Sequence, residues 1–281
     1  MENIPKLVFH PIASSDRAIA EICNGHLDNE IIYINERISS SDSQNKQPIS
    51  KRIRVAKIQR HVDPEDIEMM RSFKITDEGT MMPVPKPDGP EHGYIFGSTG
   101  SGKSVFCSFY AKQYSQLFQD NPIYLVSNVD IDPALDPIKN LIRVPLDDVK
   151  DGKILPTTIG NSLIIFDDVD AIVNKELAVT VELVRDNLLT LGRHYGIYVV
   201  CTSHLGLGSA HSRVPLNESS FIVSFPHGGN WHHLSTVMTK YAGLSKNQVQ
   251  VLHDLPTRWI LVNKTYPSYV LYEKGVYLLC D

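Results

Sequence analysis

A glycine-rich turn between an apolar run and an apolar-periodic stretch constrains the fold of this chain more than any other feature. Residues 97–104 read Gly-Ser-Thr-Gly-Ser-Gly-Lys-Ser, which fits the pattern G-x-x-x-x-G-K-S. The run Tyr94-Ile-Phe96 before the turn is typical of a buried strand, and the apolar positions after Val105 recur with a helical period. A strand, a glycine turn and a helix in this order predict an α/β fold in which the turn binds a polyphosphate.

The residue types in the turn suit the phosphates of ATP. Successive backbone N–H groups can point inward at an anion, and the helix start adds the positive end of its dipole. Lys103 supplies a point charge, and Ser104 places a hydroxyl where a phosphate-bound Mg²⁺ binds. The flanking strand and helix disfavour a chance match to the pattern. The predicted ATP-binding residues are Gly97, Ser98, Thr99, Gly100, Ser101, Gly102, Lys103 and Ser104.

Composition narrows the class of protein. The chain has 281 residues, 42% of them hydrophobic and 21% charged, which suits one large or two unequal globular domains. Its net charge of −5 means that any nucleic-acid contact must be a local patch. The four cysteines are scattered without metal-ligand spacing, which predicts a reducing compartment and no structural metal. The sequence shows no signal-peptide pattern and no apolar run of about eighteen residues, so we expect a protein that is neither secreted nor membrane-spanning.

The chain divides into two regions by pattern. Residues 1–88 contain short strand-like runs at 7–10, 30–34 and 52–56 and end in a proline-rich linker at 83–90, which predicts a small β-rich N-terminal region. Over 89–281, continuous apolar strands alternate with helices, which predicts a mostly parallel central sheet covered on both faces. The predicted strands after the glycine turn are 123–127, 162–167, 197–203, 221–225, 259–262 and 269–272, and the longer predicted helices are 171–191 and 231–241.

Two carboxylates follow the apolar strand 162–167. In a parallel sheet the carboxyl ends of the strands face the ligand crevice, so Asp167 and Asp168 are expected beside the glycine turn. We predict that Asp167 holds Mg²⁺ and that Asp168 orients and polarises the attacking water. Acids after a strand also cap the next helix in many proteins, but the phosphate-binding turn upstream favours the functional interpretation.

The order of strands can be predicted from spacing. A whole strand, 123–127, lies between Lys103 and Asp167 in the sequence, so the acid strand need not be the neighbour of the turn's strand. This favours the RecA-like (ASCE) branch of P-loop NTPases, in which the fourth strand, here 197–203, lies between the two. Thr202, Ser203 and His204 form the polar tip of that strand and are predicted to sense the γ-phosphate or to position water; a simple strand end is the alternative.

An ordered set of motifs resembles a known family. The segment from Gly192-Arg193 through Thr202-Ser-His204 is similar to one in the FtsK/HerA DNA-pumping ATPases. Together with G-S-T-G-S-G-K-S, L-I-I-F-D-D and the ending that starts at Leu255-Pro-Thr, it resembles the poxvirus-type genome-packaging ATPases of nucleocytoplasmic large DNA viruses, over roughly residues 90–275. Two positions depart from the FtsK/HerA pattern: Asp168 replaces the usual Glu, and His204 replaces Gln.

The resemblance implies a function and a set of partners. It implies an ATPase that uses ATP and Mg²⁺, assembles as a ring homo-oligomer (hexamer or pentamer) and packages viral double-stranded DNA into a capsid. The implied partners also include capsid or portal proteins or inner-membrane virion proteins, and the implied locations are the viral factory in the host cytoplasm and the virion. Two alternatives stay open: a nucleotide kinase, for which no arginine-rich lid is present, and a nucleotide-gated scaffold without turnover.

Arg193 has a geometric argument of its own. It precedes the fourth strand, so it lies at the edge of the sheet opposite the chain's own nucleotide, where a neighbour in a ring could receive it as an arginine finger. A cation that stabilises a helix C-terminus is the alternative, and the resemblance favours the finger. Arg185, Arg213 and Arg258 are weaker finger candidates.

The residues that contact DNA are weakly indicated. The segment Lys51–Arg60 carries five basic residues and no acid, for which we prefer a charged edge strand over a DNA contact. The glycine-rich loop 204–213 is expected to line the pore of a ring and to grip phosphates without reading sequence.

Overall fold

The structure is a computed structural model that describes residues 17–37, 50–57, 68–70, 72–207 and 212–279. The strand predicted at 7–10 lies outside these residues, as do positions 208–211 of the glycine-rich loop. The strands are β1 Arg17–Cys23, β2 Glu30–Arg37, β3 Ser50–Lys57, β4 Glu68–Met70, β5 Ser72–Lys74, β6 Thr80–Pro83, β7 His92–Phe96, β8 Ile123–Ser127, β9 Leu141–Arg143, β10 Leu163–Asp167, β11 Tyr198–Ser203, β12 Phe221–Ser224, β13 Ile260–Asn263, β14 Tyr269–Tyr272 and β15 Gly275–Leu278.

A ten-stranded sheet forms the centre of the molecule, in the order β5-β15-β14-β13-β12-β7-β11-β10-β8-β9. The strands from β12 to β9 are mutually parallel, and those from β13 to β5 run antiparallel. Every residue of β7, β10 and β11 is buried, because helices and a second sheet cover these central strands. The mostly parallel α/β sheet predicted from the sequence is therefore confirmed.

The order of the central strands is that of the RecA-like fold. β11 lies between β7, which leads into the glycine turn, and β10, which ends in Asp167. The registers place Ser203 opposite Phe96 and Cys201 opposite Phe166, so the three strands end at the same edge. The predicted insertion of the fourth strand between the turn's strand and the acid strand is thus confirmed.

The helices cover this sheet. The helix predicted to begin near residue 171 begins at Lys175, because residues 169–171 form a 3₁₀ turn and Asn174 caps the helix by accepting the N–H groups of Glu176 and Leu177. The described helices are α1 Lys103–Leu117, α2 Leu146–Lys150, α3 Lys175–Leu191, α4 Arg213–Glu218, α5 Trp231–Lys240 and α6 Lys246–His253. Within the described ranges, none of these helices is long and apolar enough to cross a membrane.

The N-terminal region forms a second, antiparallel sheet in the order β4-β3-β2-β1-β6. Its apolar face shares a core with helix α1, since Ile22 and Ile32 belong to the same buried cluster as Phe106 and Tyr110. Strand β5, from the same region of sequence, pairs with β15 at the edge of the large sheet. The division at residue 88 therefore separates two patterns in the sequence. In the structure the two regions pack together, and the N-terminal region contributes strand β5 to the large sheet.

Strand β3, which carries the basic run from Lys51, is not an edge strand. It pairs with β2 along its length and with β4 through positions 53–55. The expectation of a charged edge strand is wrong, because the short strand β4 after the 58–67 segment covers that side; a sequence pattern gives little warning of a three-residue strand.

A buried ion pair joins the two sheets. The guanidinium of Arg17 on β1 lies 3.1 Å from a carboxylate oxygen of Glu91, which directly precedes β7. The other oxygen of Glu91 accepts the hydroxyl of Tyr110 and the backbone N–H of Lys86, both at 3.0 Å. The hydroxyl of Tyr198 donates to the carbonyl of Lys86. The proline-rich segment predicted as a linker is therefore bound to the large sheet.

Candidate nucleotide site

The glycine turn requires glycine for two reasons, which are backbone conformation and close packing. Gly100 and Gly102 adopt φ values of 77° and 109°, in the left-handed region that side chains other than glycine rarely enter. A Cβ at Gly97 would lie 2.6 Å from the hydroxyl oxygen of Ser101, so close packing excludes a side chain there. These three residues therefore shape the turn, as the motif predicts.

The remaining residues of the turn connect it to neighbouring elements. The N–H of Gly97 donates to the carbonyl of Ser203 at 3.1 Å, which joins the turn to the end of β11. The hydroxyl of Ser98 donates to the carbonyl of Gly228 in the loop after β12. The hydroxyl of Thr99 lies 3.5 Å from Nδ1 of His204. The turn is thus held between the ends of the two strands that flank β7.

Lys103 begins helix α1 and is the centre of the site. Its buried ammonium donates to the carbonyl of Gly97 at 3.1 Å and to Nδ1 of His204 at 3.3 Å, and it lies 3.7 Å from Oδ1 of Asp168. Because a lysine ammonium has only donors, Nδ1 of His204 accepts, so Nε2 carries the ring proton and donates to Oδ2 of Asp168 at 3.1 Å. The structure therefore brings Lys103, Asp168 and His204 together.

Thr202, at the end of β11, connects both acids. Its hydroxyl oxygen lies 2.9 Å from Oδ1 of Asp167 and 3.1 Å from Oδ1 of Asp168, and it accepts the N–H of Asp168 at 2.8 Å. A hydroxyl has one proton, so it can donate to only one of the two carboxylates at a time. The sequence places Thr202 in the polar strand tip predicted to sense the γ-phosphate or to position water, and its contacts with the two acids are an addition from the structure.

Asp167 is buried and electrostatically strained. Burial and the neighbouring charge of Asp168 raise the pKa of Asp167 to about 6, although the hydrogen bond from Thr202 acts in the opposite direction. A carboxyl with this pKa exchanges its proton near neutral pH. A cation that binds the carboxylate competes with that proton and relieves the repulsion from Asp168.

Two sets of residues are candidates for a cation. Mg²⁺ prefers oxygen ligands, and the hydroxyl of Ser104 on the first turn of α1 and the carboxylate of Asp167 are of this type. Within the described part of the chain, ligand atoms of Asp168, Asp170 and His204 also lie within 4.8 Å of one another. That second set contains an imidazole and already has the Lys103 ammonium beside it. The oxygen pair therefore fits Mg²⁺ better.

Asp170 also belongs to the site. Its carboxylate accepts the hydroxyl of Ser203 at 2.7 Å and the backbone N–H of His204 at 3.3 Å. These bonds fix the backbone on either side of the point where β11 ends. Asp170 thereby positions the loop that carries the His204 imidazole.

Arg193 lies far from this cluster, at the amino end of the parallel strands. It belongs to a 3₁₀ turn between α3 and β11, and its guanidinium donates to the carbonyl of Glu218, the last residue of α4, at 2.9 Å. A second contact, at 3.4 Å, reaches the hydroxyl of Ser220. This is the geometry of a cation at a helix C-terminus, and the finger role stays a prediction. Of the weaker candidates, Arg185 pairs with Asp186 and Arg258 with Glu273.

A glycine turn with its lysine, and an acid strand separated from it by one parallel strand, define a P-loop NTPase of RecA-like fold. No protein-family model matches the chain. The chain is 33% identical over 213 residues to the uncharacterized protein V3 of the Sputnik virophage, an alignment that covers 75% of this chain and 86% of that protein. It belongs to the family of this virophage protein.

Solved structures with a similar fold come from viruses and from secretion systems. B204, the DNA-packaging ATPase from Sulfolobus turreted icosahedral virus, aligns over 66% of this chain and 98% of its own with 15% identity and a TM-score of 0.45. The cytoplasmic domain of the type VII secretion ATPase EccC from Thermomonospora curvata aligns over 75% of this chain and 29% of its own, with 12% identity and a TM-score of 0.49.

Proposed function

We propose that this protein is an Mg²⁺-dependent ATPase that assembles as a ring and moves double-stranded DNA into a viral capsid. The observation that carries the ATPase assignment is the convergence of Lys103, Asp168 and His204 at the carboxyl edge of the sheet. A structural lysine would pair with one acid at the surface. This lysine is buried at the start of a helix behind a glycine turn, where its charge faces an anion.

The contacts suggest an order of events for ATP binding. The Lys103 ammonium lies 3.7 Å from Asp168 and donates to His204. The β- and γ-phosphates compete for that ammonium, and Asp168 is then free to accept a proton from, or to polarise, the attacking water. His204, linked to both Lys103 and Asp168, changes partners in the same event and can report the γ-phosphate to β11.

Ser104 and Asp167 are the residues that would hold Mg²⁺ beside the phosphates. When bound, Mg²⁺ neutralises the charge that develops on the transferred phosphoryl group. The raised pKa of Asp167 fits this role, because the bound cation removes the cost of its buried charge. With a cation on Asp167, the Thr202 hydroxyl would donate to Asp168, the other carboxylate within its reach.

The DNA-packaging part of the proposal rests on the ordered motifs and on kinship with a virophage protein. Double-stranded DNA, a ring of five or six copies, and capsid, portal or inner-membrane virion proteins are the proposed partners. The proposed locations are the viral factory in the host cytoplasm and the virion. A nucleotide-gated scaffold is the second candidate: Asp168 has a shorter side chain than Glu and is already engaged by His204.

ATP turnover with and without duplex DNA tests the function. We expect Mg²⁺-dependent hydrolysis that rises on adding DNA of any sequence and loses this stimulation as salt increases, because it depends on phosphate contacts. Lys103→Ala should abolish ATP binding and turnover. Asp168→Asn should keep ATP binding and lower kcat by about a hundredfold, since it removes the charge that polarises water.

Each outcome separates the alternatives. Wild-type turnover by Lys103→Ala would overturn the P-loop assignment. ATP binding without turnover in the assembled protein, at any DNA concentration, would establish the scaffold. Turnover that needs a small phosphate acceptor in place of water would identify a kinase.

A further inference from the structure

A cavity of about 460 Å³ lies beside the glycine turn. The turn lines one side through Gly100–Gly102, and helix α1 continues that wall through Phe109. The N-terminal sheet lines the facing side through Asn24 and Thr80, and Trp259 comes from the C-terminal strands. Its volume falls in the range of about 300–1,000 Å³ that is typical of sites for small organic ligands.

The wall formed by α1 is apolar and open. Val105 is 48% exposed and Phe109 is 38% exposed, and the two lie one helical turn apart on the same face. Behind them Phe106, Phe225 and Trp259 are buried. A helix that begins at a phosphate-binding turn thus presents an aromatic and an aliphatic side chain to the cavity, which is a surface suited to a flat, weakly polar ring.

The facing wall supplies hydrogen-bonding groups. Asn24 directly follows β1, adopts φ 65° in the left-handed region, and lines the cavity. An amide offers both donors and an acceptor, the combination that reads the edge of a nucleobase. Arg258, whose guanidinium is held by Glu273 at 2.7 Å, borders the same space.

We propose that this cavity binds the base and ribose of the ATP whose phosphates the glycine turn holds. Gly100–Gly102 line the cavity and also form the phosphate-binding turn, so a single nucleotide reaches both. Phe109 stacks on the base and Asn24 bonds its edge, which makes the N-terminal sheet part of the nucleotide site. This inference rests on the proposed ATPase function and adds the nucleoside subsite to it.

Comparing ATP with inorganic tripolyphosphate tests the subsite separately from the phosphate site. Dissociation constants are measured by titration calorimetry with Mg²⁺ on the full chain. Lys103→Ala should weaken both ligands. Phe109→Ala should weaken ATP about tenfold, the size of a lost base–aromatic stack, and leave tripolyphosphate unchanged. Asn24→Gly, which keeps the left-handed backbone, should also weaken ATP alone.

Two variants serve as matched controls. Asn29 has φ 66° in the same turn but does not line the cavity, so Asn29→Gly should bind both ligands as the wild type does. Tyr195 is an aromatic residue of similar exposure in the 3₁₀ turn before β11, at the amino end of the parallel strands. Tyr195→Ala should also bind both ligands as the wild type does. Unchanged binding of tripolyphosphate by Phe109→Ala and Asn24→Gly also shows that those variants fold.

The outcomes distinguish the two proposals. If Lys103→Ala loses both ligands while Phe109→Ala and Asn24→Gly bind ATP normally, the base lies elsewhere and the proposed function stands. If Lys103→Ala binds both ligands as the wild type does, the ATPase proposal fails and the subsite fails with it. Selective loss of ATP in both cavity variants supports the subsite.

Discussion

Buried carboxylates at the two ends of the parallel sheet differ in how completely they are partnered. At the amino end, the carboxylate of Glu91 is enclosed but well partnered: Arg17 contacts one oxygen, and Tyr110 and the Lys86 backbone bond the other. At the carboxyl end, Asp167 and a second carboxylate share one hydroxyl, and burial with that neighbouring charge raises the pKa of Asp167 to about 6.

This difference distinguishes carboxylates that stabilise the fold from carboxylates that are suited to bind a ligand. Burial raises the pKa of Glu91 as well, so its charge also carries a desolvation cost, but its partners compensate part of that cost and specify how the two sheets dock. Charges left short of partners destabilise the free protein, and they are retained where a ligand completes them. The amino end therefore stabilises the fold, whereas the incompletely partnered charges at the carboxyl end suit the proposed binding of Mg²⁺ and ATP.

Substitution of Arg193 should have the largest effect on activity. As an arginine finger, this residue at the amino end of the sheet in one subunit would act at the carboxyl end of the sheet in its neighbour. We expect Arg193→Ala to bind ATP nearly as the wild type does and to lose on the order of a thousandfold in kcat. Mixing this variant with Lys103→Ala, each inactive alone, should recover part of the activity, since some interfaces then pair an intact P-loop with an intact arginine.

The contrary result has a clear structural meaning. If mixed rings form and no activity returns, Arg193 acts within its own subunit. If Arg193→Ala retains full kcat, the contact with the carbonyl of Glu218 describes its whole role as a cation at the end of α4. Arg143→Ala, which removes a surface arginine paired with Asp136, should leave kcat unchanged in either case.

Glu91→Ala should produce the largest loss of stability. It leaves the Arg17 guanidinium buried without its carboxylate, which costs about 3–5 kcal/mol of the free energy of unfolding. Urea unfolding measures the loss. The double variant Arg17→Met, Glu91→Leu should recover part of it, because an apolar pair avoids the unpaired charge but leaves the Tyr110 hydroxyl and the Lys86 N–H without their acceptor. Asp88→Ala, which breaks only an exposed pair with Lys86, should cost less than about 1 kcal/mol. A small loss in Glu91→Ala would mean that the docking of the two sheets does not depend on this pair.

The sequence predicted the parallel core because its strands are continuous apolar runs next to a distinctive turn. Strand β8 has the bounds that were predicted, 123–127, and β11 differs by one residue. Strand β1 was missed because alanines and Glu21 weaken its apolar signal, although positions 18–20 are all buried. Strand β9 and helix α2 were missed because three and five residues are too few to show a period.

The main residues of the site could also be predicted from the sequence, but not all of their contacts. Lys103 follows from the glycine-turn motif, and Asp167, Asp168 and His204 follow from where strands end. The structure brings Lys103, Asp168 and His204 together and links Asp167 to Asp168 through the Thr202 hydroxyl. The contacts of Thr202 with the two acids were not predictable, because they depend on the register that sets Phe166 opposite Cys201. Pairing registers of distant strands are not encoded in any local pattern.

Asp167→Asn is the smallest expected effect and tests the carboxyl end directly. Because the pKa of Asp167 in the fold lies above the ordinary value of 3.8, the folded protein disfavours the ionised form, and this cost is fully present above pH 6. The neutral amide removes it and can still accept the Thr202 hydroxyl, so at pH 7.5 the variant should be more stable by up to about 3 kcal/mol while Mg²⁺ binding is lost.

The pH dependence of that gain identifies its cause. As pH falls from 6 to 4, the wild-type carboxyl becomes protonated and neutral, so the advantage of Asn should shrink toward zero in urea unfolding measured without Mg²⁺. Asp136→Asn is the control of opposite sign, because the hydrogen bond from Arg143 lowers the pKa of Asp136 and its charge stabilises the fold at neutral pH. A destabilised Asp167→Asn at pH 7.5 would show that the carboxyl end is as well partnered as the amino end, since only a carboxylate satisfied by its surroundings loses stability on becoming neutral.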